Sequence, residues 1–503
     1  MKPEILLIYP GSDPAYPHEE ISTDPGRSMP MGILFLAAAL ERGGYGVHVL
    51  DARTMSKADN RMWLKEALDR DPVYVGISAM TIQLGHGLDM ARLVRSLKPH
   101  IPIVWGGAHP SLYPESTCRD NTVDYVLQNE ADFSAVQLAD ALKEGESIDS
   151  IAGLTYQQPK NDDIRSGPRG GLPDVSILGS PAYHLIETTD YLERTLADGR
   201  RVLGADILTS RGCPYRCAFC PNEILLGRRW RKRPVYQVLE ELDMLLSDSQ
   251  INHIWFMDDL FIGDRQRVVR IVEYLHEKYP AVRWEANVRA DMFKDGLVDK
   301  SFLTFLKETG CSSLRMGAES GNDEILRLLK KDITVEQTIH AVSECNEVGI
   351  VPVCFFMMGI PGERIDQIYD TLALMAHLKT RYPKTMVCGP GLFRPYPGGD
   401  LYERALGLGL SEPANLSEWA EALGSQGFLK SNAFPWIEDA MLLDDLLFYM
   451  FHIEQRNNLS SFSMPVLRRI ISNVALWRAR HKQWKRRIIA ISKRHLSRLS
   501  GAA

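Results

Sequence analysis

Short apolar runs recur along the first 145 residues, with helix-period segments between them. "EILLIYP", "GVHVLDA", "YVGISAM", "PIVWGG" and "DYVLQN" are almost unbroken in apolar character. Such runs predict strands of a parallel sheet buried on both faces, since one-sided burial would leave polar residues at alternate positions. Between them, "MGILFLAAALERGG" and "GHGLDMARLVRSLKP" carry apolar residues at helical spacing and end in Gly or Pro, which stop helices. Residues 1–145 are therefore predicted to form a doubly wound, Rossmann-like α/β domain. Its ligands should sit outside the carboxyl ends of the strands.

The pattern then changes. Residues 146–200 contain "QQPKNDDIRSGPRGGLPD", dense in Pro, Gly and charge, and read as a connecting segment. Residues 201–400 hold six further strand candidates: "DILTS", "HIWFMD", "RWEANV", "SSLRMG", "VCFFMMG" and "TMVCGPGLF". Helical segments separate most of them, which predicts a partial (β/α)6 barrel. Residues 401–503 form a mainly helical C-terminal region with no clear strand.

Composition changes the picture only at its edges. The chain has 503 residues, 45% hydrophobic and 24% charged, with net charge −6, which suits a soluble enzyme of two or three domains. No run of 18 apolar residues predicts a spanning helix, and "MKPEILLIYPG" lacks the features of a signal peptide. Cys118, Cys311, Cys345, Cys354 and Cys388 are scattered singly, which points to a reducing compartment, the cytoplasm.

The other three cysteines are crowded. Cys213, Cys217 and Cys220 fall within "RGCPYRCAFCPNE", in the loop after the first barrel strand, where parallel barrels carry their chemistry. Thiolates are soft ligands for zinc or iron–sulfur clusters. Structural zinc wants four ligands, and no fourth Cys or His lies nearby; His184 and His253 are the nearest histidines. A cubane cluster on three thiolates instead leaves one iron open to a substrate. A zinc knuckle and three unconnected core thiols are the alternatives.

This CxxxCxxC spacing, with Phe219 before the last cysteine, resembles the signature of the radical S-adenosylmethionine superfamily. The resemblance implies a 4Fe–4S cluster on Cys213, Cys217 and Cys220 and S-adenosylmethionine on the open iron. It also implies a 5′-deoxyadenosyl radical formed on reduction by an external flavodoxin- or ferredoxin-type donor, and it puts Phe219 near the adenine. Similar stretches at later strand ends add Asp258 and Asp259 ("FMDDLF"), Arg289 ("NVRADMF"), Glu319 ("MGAESG") and Gly359 ("GIPGE") as candidate S-adenosylmethionine contacts. "FRPYPGGDLY" follows the sixth strand in the same way. A bound zwitterion needs an anion near its ammonium and a cation or N–H donors near its carboxylate.

The first domain is similar to the cobalamin-binding domain that precedes some radical S-adenosylmethionine domains. "YPG", "PMGILFLAAAL", "LDART", "GISAMT", "WGGAHPSLYPE" and "DYVLQNEAD" carry the likeness. It implies hydroxyl contacts from Ser78 and Thr81, close backbone approach at Gly106 and Gly107, and His109 as a neighbour of the corrin. Glu130 matches within "NEAD", where relatives have G-E-x-E. No D-x-H-x-x-G follows the first strand, so cobalamin is expected base-off, with no protein imidazole on cobalt.

The implied function is methylation of an unactivated carbon in a small-molecule or lipid-like substrate. One S-adenosylmethionine would methylate the cobalamin and a second would supply the radical. A radical oxidoreductase or cyclase like the anaerobic porphyrin cyclase is the alternative. A methylthiotransferase needs three N-terminal cysteines, and residues 1–200 hold only Cys118; a cobalamin sensor would have no use for the triplet.

Charge adds one question. From Gln455 onward there are 12 Lys or Arg and no Asp or Glu, which leaves −18 on the first 454 residues. Within residues 466–499, Ile470, Val474, Trp477, Trp484, Ile488 and Ile491 share a helical face. The basic helix is expected to pack on the acidic body; peripheral contact with anionic lipid is the alternative. No nucleic-acid motif is present.

Overall fold

The computed structural model describes residues 2–11, 27–158, 163–168, 170–196, 200–247, 250–294, 296–423, 434–440, and residues 443, 446, 478 and 479. The five apolar runs of the first domain are strands β1 (Glu4–Tyr9), β2 (Gly46–Asp51), β3 (Val75–Ser78), β4 (Ile103–Gly106) and β5 (Tyr125–Leu127). All five are parallel. Their side chains alternate between two cores: Leu6 and Ile8 join the helices Lys57–Leu68 and Leu84–Leu97, whereas Ile5 and Leu7 join Met31–Arg42 and Ser134–Glu144.

Two more strands, β6 (Leu154–Gln157) and β7 (Ile164–Ser166), come from the segment expected to be a connection. They add antiparallel to β5, giving the order β2-β1-β3-β4-β5-β6-β7. These strands are short, and β7 carries an Arg and a Ser, so pairing at the sheet edge rather than an apolar pattern makes them strands. The order reverses at β1 and β3, and a crevice therefore opens at the carboxyl ends of those strands.

The second sheet begins with β8 (Glu193–Thr195) and β9 (Arg201–Ile207). A two-stranded ribbon follows, β10 (Ser210–Arg211) against β11 (Arg231–Lys232). The sheet continues through β12 (His253–Phe256), β13 (Arg283–Asn287), β14 (Cys311–Glu319), β15 (Val351–Met358) and β16 (Met386–Leu392). Its order is β16-β15-β14-β13-β12-β9-β8, with β8 alone antiparallel, and it curls into a half barrel. The six predicted strands form its parallel part. Several of its helices start on side-chain caps: Asp264, Asp299, Asn322 and Thr334 each accept a backbone N–H of the first turn.

Past residue 400, the helices Asp400–Gly407 and Leu416–Leu423 pack back on the body, with Trp419 buried against the first domain. The basic segment 466–499 lies outside the described residues except for Arg478 and Ala479; Ala479 belongs to the barrel core. Among the described residues, no helix is long and apolar enough to cross a membrane.

Gly204 in β9 shows how tightly the barrel edge is packed. A Cβ there would lie 1.9 Å from Cζ3 of Trp255, whose ring is held under the Arg194 guanidinium at 4.6 Å. Gly204→Ala is expected to cost about 2 kcal/mol through overpacking. The readout is a lower midpoint in thermal unfolding; an unchanged midpoint would show that the indole can slide aside.

Candidate functional site

The loop between β10 and the helix Asn222–Leu226 carries Cys213, Cys217 and Cys220, all half-buried. Its backbone has a turn of its own, Cys220 N–H to Cys217 O at 3.0 Å, and is further fixed by distant segments. Ala218 donates its N–H to Leu329 O (2.8 Å), and its carbonyl accepts from Leu401 N (2.9 Å). Gly399, at φ +87°, comes so close that a Cβ would lie 2.7 Å from that carbonyl. Gly212, at φ +83°, likewise has room for no side chain beside the Arg229 carbonyl.

Charged groups surround the loop. The Arg289 guanidinium lies 3.6 Å over the Tyr215 ring and donates to Cys217 Sγ at 3.7 Å. It also donates to the Lys331 carbonyl and, at 2.9 Å, to Asp291. Glu319, buried at the end of β14 with φ +61°, pairs with Lys331 Nζ at 2.8 Å. A positive φ in a non-glycine residue is costly and must be held by its surroundings. Lys331 Nζ in turn stands 5.7 Å from the Phe219 ring centroid. Burial pushes the Cys220 thiol up to about 11 and also raises Cys213, with the Asp259 charge adding to both. In its apo form the loop thus favours thiols, and a bound metal would have to displace their protons.

Not every expected residue faces this space. Asp258 is fully buried and accepts from Thr209 N–H, Thr209 Oγ1 and Ser210 Oγ, so it braces the base of the loop. Asp259 beside it is exposed yet stays next to the cysteine loop, accepting from Asn222 Nδ2 at 2.9 Å. Gly359 has φ +74°, and its N–H is spent on Glu363 Oε2 at 2.7 Å, while its carbonyl accepts from Trp436 Nε1.

A second space lies in the first domain. A cavity of about 260 Å³ opens between the sheet and the helices Met31–Arg42 and Ser134–Glu144, lined by Leu7, Ile33, Tyr74, Gly76, Ser78 and Gly106 among others. Its interior is apolar because two glycines leave it empty: Gly76 puts no side chain on the floor, and a Cβ on Gly32 would meet nothing within 4 Å. Polar groups gather at the mouth, where Glu130 pairs bidentately with Arg231 at 2.6 Å and Asp132 with Arg211 at 2.8 Å. Arg211 stands two residues before Cys213, so this ionic cluster joins the cavity to the cysteine loop.

Of the remaining expected residues, Ser78, Gly106, Gly107 and Glu130 line the cavity. The close approach at Gly107 is to the chain itself, since a Cβ there would lie 2.7 Å from Ala79 O. Thr81 and His109 are turned away from the cavity. The buried imidazole faces Thr81 Oγ1 (3.3 Å) and stacks near Tyr113 and Trp419, and burial lowers it to about 3.

Comparison with known proteins places the chain in a family. Residues 207–375 match the Radical SAM superfamily and residues 21–139 the B12 binding domain. An uncharacterised methyltransferase of Pyrococcus horikoshii is 30% identical over 407 residues, covering 80% of this chain and 83% of that protein. The chain belongs to the cobalamin-dependent radical S-adenosylmethionine enzymes. An anaerobic magnesium-protoporphyrin IX monomethyl ester cyclase of Rubrivivax gelatinosus is 22% identical over 404 residues, 79% of this chain and 69% of that one. The fold is shared with the radical S-adenosylmethionine methyltransferase TsrM of Kitasatospora setae, solved with cobalamin and a 4Fe–4S cluster bound. That match has a TM-score of 0.68 at 20% identity, covering 96% of this chain and 100% of that one.

The residues present fit the family's cofactors. Among the described residues, no three His, Cys, Asp or Glu side chains converge where a single ion could sit. Three thiols on one loop match a cubane that takes one thiolate on each of three irons. The glycine-emptied cavity with its polar mouth suits the apolar base and polar linker of a cobalamin tail. Sequence reasoning alone does not single out Lys331, Arg211 or Arg231. Lys331 meets Glu319 across twelve residues of chain with no periodic relation, and the two arginines find their carboxylates only across the domain boundary.

The turn after β15 makes a testable statement about protonation. Glu363 Oε2 accepts from the N–H groups of Gly359 and Ile360, Oε1 has no partner among the described residues, and burial raises the acid from 4.5 to about 7. Between those values the folded chain keeps a proton that the unfolded chain releases. The contribution of this group to stability is therefore greatest below about pH 4.5 and is lost as pH rises toward 7, by roughly 3 kcal/mol. Glu363→Gln should remove that fall when unfolding midpoints at pH 5 and pH 8 are compared with wild type. Parallel pH dependence of the two proteins would disprove it.

Proposed function

We propose that the chain is a cobalamin-dependent radical S-adenosylmethionine C-methyltransferase acting on an unactivated carbon of a small-molecule or lipid-like substrate. The single observation that carries this reading is the ionic cluster Glu130–Arg231 and Asp132–Arg211. It sets the mouth of the first-domain cavity beside the cysteine loop and so brings the two cofactors within reach of one substrate. When bound, a 4Fe–4S cluster on the three cysteines would pass an electron to S-adenosylmethionine, and cobalamin would supply the methyl group.

The chain's own residues hold and orient. Cys213, Cys217 and Cys220 are the 4Fe–4S thiolates, and Arg289 donates to Cys217 Sγ and so orients it. Glu319 and Lys331 are the anion and cation for the ammonium and carboxylate of S-adenosylmethionine, each now satisfied by the other. Phe219 offers its ring to the adenine. Ser78, Gly106 and Gly107 border the tail of cobalamin, which is held base-off; the turned-away, neutral His109 supports that state. The electron comes from a flavodoxin- or ferredoxin-type donor.

The second reading, a radical cyclase or oxidoreductase, draws on the cyclase relative. Product analysis separates the two. Purified enzyme with reductant and S-adenosylmethionine should release S-adenosylhomocysteine and 5′-deoxyadenosine together; deoxyadenosine alone would replace methyl transfer with the second reading.

Cluster ligation has its own check. Anaerobically reconstituted protein should hold about four iron per chain. Replacing Cys213, Cys217 and Cys220 together by Ala should abolish both that iron and the cleavage of S-adenosylmethionine. Full iron loading of the triple variant would overturn the assignment.

A further inference from the structure

We infer that Met80 is the residue that faces the lower side of the cobalt. The inference rests on the cobalamin reading above and goes beyond it by naming a group that no resemblance supplies.

The argument begins with strand alternation. Along β3, Val75, Ile77 and the following Ala79 pack into the core with the helices Lys57–Leu68 and Leu84–Leu97. Gly76 and Ser78 fall on the opposite face, and both line the cavity. The backbone stays extended through Met80, at φ −84° and ψ 165°, so its side chain continues the Gly76–Ser78 row one step beyond the cavity. Met80 thus stands at the mouth.

A tail filling the cavity descends from the lower face of its corrin, so that face lies across the mouth and over the residue standing there. Met80 is 43% exposed, unusual for a large apolar side chain at the end of a buried strand. Its position is fixed, because its N–H donates to Gln83 Oε1 (2.8 Å) and Gln83 Nε2 donates to the Pro10 carbonyl (2.6 Å). Those bonds tie the loops after β1 and β3 together at the point where the strand order reverses. Among the described residues near the mouth, Glu130 and Asp132 are paired with arginines, and Thr81 and His109 with each other. A thioether is soft, apolar and weakly coordinating, so it excludes water from the lower face without competing for the metal as an imidazole would.

The test reads the metal rather than turnover. Met80→His, at an exposed position that should tolerate it, puts an imidazole where the thioether was. In the cob(II)alamin form, wild type should show no axial nitrogen splitting by electron paramagnetic resonance, and Met80→His should show the three-line pattern of one nitrogen. A Met80→His protein that binds cobalamin without that splitting overturns the inference, and so does nitrogen splitting in the wild type. Met80→Ala provides the second arm, since it opens the lower face to water. It should weaken cobalamin binding about tenfold and shift the cob(II)alamin spectrum. Unchanged affinity and spectrum in Met80→Ala overturn the inference whatever Met80→His does. Wild-type protein that takes up no cobalamin overturns the underlying reading as well.

Discussion

The backbone of one residue decides the shape of the reactive loop. Ala218 lies between the second and third cysteines, and its N–H and carbonyl are both taken by other parts of the chain, Leu329 O and Leu401 N. Those partners follow β14 and β16, so a loop that begins at β10 is pinned across the barrel. Ala218 is buried, and breaking either bond would leave a buried backbone group unsatisfied. Ile325, Leu329, Ile360, Phe393 and Leu401 pack around it in one small apolar cluster, which keeps water from competing for the two bonds. The glycine at position 399 is part of the same constraint, because its missing Cβ is what lets Leu401 reach the Ala218 carbonyl. Three thiols within eight residues therefore owe their arrangement to chain more than a hundred residues away.

A second constraint joins the two domains. Arg211 and Arg231 stand on the ribbon that flanks the cysteine loop, and Glu130 and Asp132 stand at the strand ends of the first domain. All four are largely shielded from water. Burying charges is unfavourable unless each is paired and hydrogen-bonded, so a complete cluster confers orientation more than net stability. Rotating one domain against the other would separate the pairs and strand the charges. Arg194 with Asp206 and Arg233 with Glu241 do similar work beneath the barrel edge, where Tyr183 links Glu241 to the Asp206 carbonyl. The relation between cavity and loop is held by polar geometry, whereas each domain is held together by its apolar core.

The sequence by itself determined what is local or periodic. Short, strand-length segments rich in apolar residues and bounded by turn residues read as strands, so the five strands of the first domain and the six parallel strands of the barrel are legible one by one. The cysteine spacing is equally local, and thiolate chemistry limits what it can bind. Strands β6 and β7 were not legible, because an edge strand is made by the partner it pairs with and needs no apolar pattern of its own. Tertiary structure alone decided which side chains at the strand ends face a ligand. Asp258 and Asp259 are neighbours in sequence, yet one is buried as a brace and the other is exposed. His109 is turned toward Trp419 by a helix some three hundred residues later, and Glu319 meets its cation through a bend at positive φ. Identity and spacing fix what chemistry a residue can do; where it points depends on the packing of distant segments against it, and no local pattern in the chain records that.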